Sequence, residues 1–334
     1  MQNIFMREAD MSEDLIREDN VPEDNASEII NDKEALEKKR LTVYLVLVFG
    51  ITYIYEYFFV IRFLTIHKDY TIASIPLNLV IAMFLPSICV VLTRLVTKEG
   101  FKDIYISFNM KEGRYRYYLL TWFVPPLLTL IGTIIYFLCL KGEYSADMEY
   151  IIATYTKQGV QGLTPDIMKK TIISQGITSV LIGPVVNCLT CFGEEWGWRG
   201  YLLPKLSKRL KTMPLMIVMG LIWGLWHLPL IIAGHNYGTE YAGYPFVGII
   251  AMVVFCFSIG TLLSYATLKT GSCIPAVIGH GAINGFASIG IYFTKDGGRL
   301  TLGPSPAGFI AGIPCLVFAI ILIRLMMRDE EIQK

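Results

Sequence analysis

Beyond its first forty residues the chain alternates long apolar runs with short polar breaks. The runs lie near 41–64, 72–96, 117–140, 172–203, 213–233, 245–268, 273–293 and 305–327. Each holds roughly 20 residues or more, the length an α-helix needs to cross ~30 Å of hydrocarbon at about 1.5 Å per residue. Backbone polar groups in hydrocarbon must be satisfied within the segment, so runs of this length predict helices. The expected fold is all-α: a polytopic membrane protein, a bundle of about eight transmembrane helices.

Residues 1–40 break the pattern, with 12 Asp and Glu against 6 Lys and Arg. They predict an acidic cytoplasmic tail, largely disordered, with a short helix near Ser27–Arg40. Residues 41–330 then form the membrane domain. The first apolar stretch begins only at Leu41 and is too long for a signal-peptide core, so no signal peptide is expected.

Orientation follows from the basic residues of the loops. Lys38–Arg40, Lys98, Lys102, Lys111, Arg114, Arg116, Lys205, Lys208, Arg209, Lys211, Arg324 and Arg328 all fall on one side of an eight-crossing chain. Lys68, the mixed stretch 141–171, the loop around Glu240, and Lys295 and Arg299 fall on the other. Both termini are therefore expected in the cytoplasm. Residues 97–116 mix basic and aromatic positions as an interfacial helix does, and Tyr144, Met148, Tyr150 and Tyr155 are placed to sit in the outer headgroup layer.

Composition adds little beyond this. Charged residues make up 17% of the chain, below the ~25% of soluble domains, and hydrophobic ones 54%. The net charge of +1 is unevenly spread, and no nucleic-acid partner is suggested. The seven cysteines lie in or beside apolar runs and read as small buried hydrophobes; Cys188 and Cys191 form a C-x-x-C with no second pair beside it.

The chemistry sits in three of the runs. A carboxylate at bilayer depth costs a few kcal/mol or more, so such residues face a bundle interior or a wet cavity. The fourth run carries two in succession, Glu194 and Glu195, followed by Arg199. Glu195 and Arg199 stand four apart with the acid first, the favourable order for an ion pair. Glu194 is left without a local partner. It shares a face with Asn187 and Thr190. In the fifth run Trp223 and His227 share a face; in the seventh His280 and Asn284 do. The small-x-x-x-small pairs Gly220/Gly224 and Gly281/Gly285 let helices approach closely, which is expected to bring both imidazoles toward Glu194.

Hydrolysis suits these groups. A partly desolvated carboxylate can take a proton from water, imidazoles can position that water or bind a metal, and a carboxamide can donate to an oxyanion. A rhomboid-like serine, a His-Glu-x-x-His and a membrane aspartate pair are each missing from the sequence.

Glu194-Glu195-x-x-x-Arg199, Trp223-x-x-x-His227 and His280-x-x-x-Asn284, in that order on separate spans, resemble the CAAX-prenyl endopeptidase and bacteriocin-processing (CPBP, Abi-like) family of intramembrane proteases over roughly 172–293. The resemblance implies an endopeptidase in which Glu194 activates water with help from His227. It implies that His280 and Asn284 stabilise the oxyanion, while Glu195 and Arg199 support the site. The second motif usually opens with Phe, where this chain has Trp223. Whether a metal takes part stays open at this level. Glu194, His227 and His280 would make a two-His, one-carboxylate set for Zn2+ with an open fourth position, as in a metalloprotease.

The implied substrate is a peptide or membrane-associated protein, and the implied setting a bacterial plasma membrane. Peptide or bacteriocin processing, self-immunity and CAAX-type cleavage are the roles the resemblance suggests. Two other readings stay open. Glu and His chains also relay protons in proton-coupled transporters, and the fold can serve as a catalytically silent immunity or binding protein. Glu56, among Tyr53, Tyr55 and Tyr57, has no motif around it and is assigned a structural or gating role.

Overall fold

The computed structural model describes residues 23–67 and 76–332. Regular structure among them is helical, apart from an isolated antiparallel bridge between Tyr144 and Thr294. The principal helices are α1 (Glu23–Glu56), α2 (Pro76–Val96), α3 (Tyr115–Cys139), α4 (Glu149–Lys157), α5 (Pro165–Leu181), α6 (Cys188–Gly197), α7 (Thr212–Trp226), α8 (Phe246–Thr270), α9 (Ile274–Phe286) and α10 (Ile313–Ile332). Residues 1–22 of the expected tail, and Lys68, lie outside the described residues. From Glu23 onward the chain is helical and runs without a break into the first span.

Among the described residues, five helices are long and apolar enough to cross a membrane: Asn31–Ile66, Leu77–Val96, Tyr115–Cys139, Phe246–Thr270 and Ile274–Phe293. The fold is polytopic and α-helical, as the apolar runs predict. The other three runs differ from simple spans, and two of them do so because of proline. Pro184 ends the first half of the fourth run, which becomes α5, a four-residue turn Gly183–Val186, and α6. Pro229 ends the fifth, which becomes α7 and the short Leu228–Ile232. The eighth starts only at Ile313, after Gly303, Pro304 and Pro306, and ends among charges.

A proline cannot donate to the carbonyl four residues before it, and in hydrocarbon that carbonyl needs another partner. Both breaks supply one from a neighbouring helix. The Val180 carbonyl accepts from Trp122 Nε1 at 2.7 Å, and the Leu225 carbonyl accepts from Tyr53 Oη at 2.6 Å. The breaks are built-in features of the bundle: Glu194 and Glu195 follow the first, and Trp223 and His227 lead into the second.

Close approach is set by glycine. At Gly220 and Gly224 a Cβ would stand 2.6 Å from Phe257 Cα and 2.7 Å from Val253 Cα of α8. This pair therefore seats α7 on α8, and not on the helix of Glu194 as expected. Gly281 does face that segment: a Cβ there would meet the Pro184 carbonyl oxygen at 2.8 Å. Helix α6 packs chiefly on α2 and α9, so Glu194 and Glu195 lie between the second and seventh runs and beside the fifth.

Charged side chains at the ends of the bundle are paired. At one end Lys205 bridges Glu37 and Glu99, Arg209 meets Glu34, and Lys269 meets Asp329. At the other, Arg299 pairs with Glu143. Residues 97–114 are not the expected interfacial helix. Lys98, Asp103, Tyr105 and Glu112 have positive φ, and the strand-like stretch is pinned across the bundle end by Arg94 to the Gly100 carbonyl, Trp196 to the Ile104 carbonyl and Asn109 to the Thr270 carbonyl. Met148, expected among headgroups, is fully buried with Ile151, Met168 and Ile172.

Candidate active site

Trp223 is the hub of the site, and the residues around it come from three helices. On α7, its indole Nε1 donates to Glu194 Oε2 of α6 at 2.9 Å. Arg199, in the π-helical turn Trp198–Leu202 after α6, holds its guanidinium 4.3 Å from the centre of the Trp223 ring. From α9, the His280 ring meets the same indole edge-on, with centroids 5.3 Å apart. Glu194, Glu195, Arg199, Trp223 and His280 are all buried.

The adjacent glutamates have different surroundings. About 100° of helical rotation separates them, and Glu195 turns to Arg199 Nη1 at 3.0 Å and to His280 Nδ1 at 2.9 Å, both through Oε1. The ion pair read from the i,i+4 spacing is present. The third member, His280, has no sequence-local signal and is placed by the packing of α9 on α6. Against a carboxylate, Nδ1 is the donor, which turns Nε2 away from Glu195 and fixes the imidazole plane. Glu194, on the adjacent face of the helix, meets the Trp223 indole N–H.

His227 sits at the break before Pro229. Its backbone N–H bends to the Gly224 carbonyl, which leaves the Trp223 carbonyl free, and the ring Nδ1–H donates to that oxygen at 2.8 Å. A carbonyl can only accept, so the tautomer is settled and Nε2 carries a bare lone pair. A straight helix would have spent the Trp223 carbonyl on the backbone. The ring is half-buried and packs edge-on against Trp226 at 4.9 Å.

Asn284, one turn beyond His280, is exposed, and its Nδ2 makes only a 3.7 Å contact with Cys191 Sγ. Its amide donors are thus available to a ligand. Asn187 does not join the carboxylates; it donates to the Gly281 carbonyl at 3.2 Å and ties the turn before α6 to α9.

Among the described residues no three His, Cys, Asp or Glu side chains converge as a metal-ion site. Glu194, His227 and His280 are gathered around one indole. His280 Nδ1 and His227 Nδ1 both donate to protein acceptors, which leaves Nε2 of each ring as the nitrogen open to a ligand.

The structure adds a residue that no motif marked. Glu56, at the end of α1 where the helix widens into the π turn Tyr57–Ile61, is fully buried, and neither carboxylate oxygen has a hydrogen-bond partner among the described residues. One turn earlier, Thr52 accepts from Trp226 Nε1 at 2.9 Å, which ties α1 to the residue beside His227. A lone acid at membrane depth was the only sequence signal for it.

Trp223 in place of the usual Phe has a physical role here, because a phenyl ring has no N–H for Glu194. A hydrogen bond to a charged group contributes about 1.5–3 kcal/mol. Trp223→Phe is expected to destabilise by about that much, and by about 0.5–1.5 kcal/mol in a Glu194→Gln background, where the bond is neutral. Thermal unfolding of the four proteins in detergent measures the coupling. Equal losses in both backgrounds would show that Trp223 supplies packing alone.

Residues 176–286 match the family described as Type II CAAX prenyl endopeptidase Rce1-like. CAAX prenyl protease 2 of Methanococcus maripaludis is 33% identical over 92 residues, 27% of this chain and 34% of that protein. Lysostaphin resistance protein A of Staphylococcus haemolyticus is 29% identical over 133 residues, 39% of this chain and 32% of that protein. The protein of the same name from Staphylococcus epidermidis is 35% identical over 81 residues, 24% of this chain and 19% of that protein. The matched regions thus span between 19% and 34% of these relatives.

Proposed function

We propose that this chain, whose residues 176–286 carry the core of the CPBP family of intramembrane proteases, is an endopeptidase that hydrolyses peptide bonds with a water activated by Glu194. The observation that carries this reading is the set of side chains around Trp223: one buried carboxylate held by an indole N–H, and an imidazole whose Nδ1–H is engaged so that Nε2 is free.

In the proposed reaction a water lies between Glu194 and His227 Nε2. Glu194 takes its proton as the oxygen attacks the scissile carbonyl carbon. The developing oxyanion is met by Asn284 Nδ2–H, and by Nε2–H of His280 in its doubly protonated form, with Glu195 as the counter-ion. Glu194 then passes the proton to the leaving nitrogen as the C–N bond breaks. General base catalysis is worth about 10²–10⁴-fold in rate and an oxyanion donor about 10²–10³-fold. The proposed reaction runs without a metal, which the chelator experiment below tests.

The proposed substrate is a peptide or membrane-associated protein in the plasma membrane of a bacterium, with both termini of the enzyme in the cytoplasm. The similarity to a CAAX prenyl protease and to lysostaphin resistance proteins supports processing of a C-terminal peptide or of a cell-envelope component as the role. Purified protein in nanodiscs is expected to cleave a quenched peptide library, and to go on cleaving in a strong chelator. Loss of cleavage with the chelator, restored by Zn2+, would overturn the metal-free mechanism. Substrate-driven proton flux with no cleavage would overturn the protease in favour of a transporter.

A further inference from the structure

Helix α5 presents two different exposed faces. Ile173, Ile177 and Leu181, four residues apart, are exposed and apolar, as a face toward lipid should be. Ser174, Gln175, Thr178 and Ser179 lie on the other side. Thr164 caps the helix by accepting from the Ile167 N–H, and Pro165 at its first position fixes its start.

The polar face lines a cavity of about 290 Å³, closed on its far side by Gly285, Ser288, Ile289 and Tyr292 at the end of α9 and the turn beyond it. Hydroxyl and amide side chains on a membrane helix cost free energy unless they meet water or each other. Their collection on one cavity, with isoleucines on the opposite face, marks the cavity as wet. It begins at the site already described. Gly285 follows Asn284 directly, and Ser288 stands in the turn just past the end of that helix. Gly285 lies against the Asn187 amide and the Ser179 carbonyl, each 3.5 Å from where a Cβ would stand, so the α9 end of the cavity adjoins the turn before α6.

The lining says what would fit. It carries donors and acceptors and no charge, which disfavours a phosphate headgroup or a charged side chain as the main occupant. Serine and threonine hydroxyls both donate and accept, and glutamine offers both at one end, matching the repeating N–H and C=O of an extended peptide. The volume is near the lower limit of ordinary ligand pockets of roughly 300–1,000 Å³, enough for a few residues of backbone with small side chains.

We infer that the groove between α5 and the end of α9 is a substrate-binding groove, taking an extended, uncharged stretch of the peptide whose scissile bond lies at Asn284. This rests on the endopeptidase reading and adds to it the path of the substrate and the residues that hold it. It also carries a specificity: peptides with small or polar residues on that side of the cleaved bond bind, and acidic ones are excluded by desolvation without a partner.

The test uses the full chain in nanodiscs and a quenched peptide that the wild type cleaves. Thr178→Phe and Ser288→Phe fill the groove and are expected to raise KM tenfold or more, with kcat changed less than threefold. Ile177→Phe, on the lipid face, is the control and is expected to leave both unchanged. A photo-crosslinking residue at Thr178 in a Glu194→Gln background is expected to capture the same peptide, which keeps the test open should a bulky variant fail to fold. Unchanged KM in folded Thr178→Phe and Ser288→Phe, or no capture at position 178, would overturn the groove while leaving the protease reading intact. A wild type that cleaves nothing would overturn the protease reading instead, and capture at position 178 of an uncharged peptide from the same library, against none of an acidic one, would then still report on the groove.

Discussion

Glu194→Gln is expected to abolish peptide cleavage, a fall in kcat of about 10²–10⁴-fold, with the unfolding temperature unchanged. The amide is nearly isosteric, and its oxygen still accepts from Trp223 Nε1, so the buried hydrogen bond survives while the base is lost. Glu195→Gln should behave differently. It leaves Arg199, fully buried, without its counter-charge and weakens the acceptor that holds His280. Activity and thermal stability should then fall together. The comparison is read from kcat and from thermal unfolding on the same preparations. Equal unfolding temperatures for the two variants, or substantial cleavage by Glu194→Gln, would undo the division of roles.

That division was legible in the sequence as far as local geometry carries it. The i,i+4 spacing of Glu195 and Arg199 specifies a pair on one helix face, and the pair is there. The partner of Glu194 could not be read the same way, because Trp223 reaches it from another helix. His280 was expected to face Glu194, and its Nδ1 goes to Glu195. Helix packing decides such contacts, and a sequence states only which faces are small or polar. Gly220 and Gly224 illustrate the limit: the pair correctly signals close approach, but α8 and not α6 is what approaches.

The apolar runs gave the fold class and most of the long helices. They did not give the breaks at Pro184 and Pro229, where run length outweighed two prolines in the reading of a span. The signal was present. A proline deep in an apolar run needs a donor elsewhere for the carbonyl four residues back, and Trp122 and Tyr53 are such donors on other runs. The break at Pro229 has a chemical consequence, because it frees the Trp223 carbonyl that fixes the tautomer of His227. Glu56 was visible as an acid at depth, yet its complete burial depends on how α1 lies across the bundle.

Arg199→Met is expected to produce the largest loss of stability. The guanidinium is fully buried, has one carboxylate partner and the face of Trp223, and leaves Nε and Nη2 without partners. Such a pair contributes little net stability over an apolar pair of the same shape, but removing one member leaves an uncompensated buried charge, at about 3–5 kcal/mol. His280 can still meet Glu195 in the variant, so the lower end, about 3 kcal/mol, is expected. Adding Glu195→Gln removes the stranded charge, and the double variant should recover most of the lost stability. Activity should not return with it, because the acceptor that orients His280 is then a neutral amide. Unfolding in detergent gives the coupling between the two sites, and peptide cleavage gives the second readout. If the double variant were no more stable than Arg199→Met, the Glu195–Arg199 pair would not be what holds α6 in place. Arg199→Lys should fall between, since an ammonium keeps the charge but cannot lie flat on the indole as the guanidinium does.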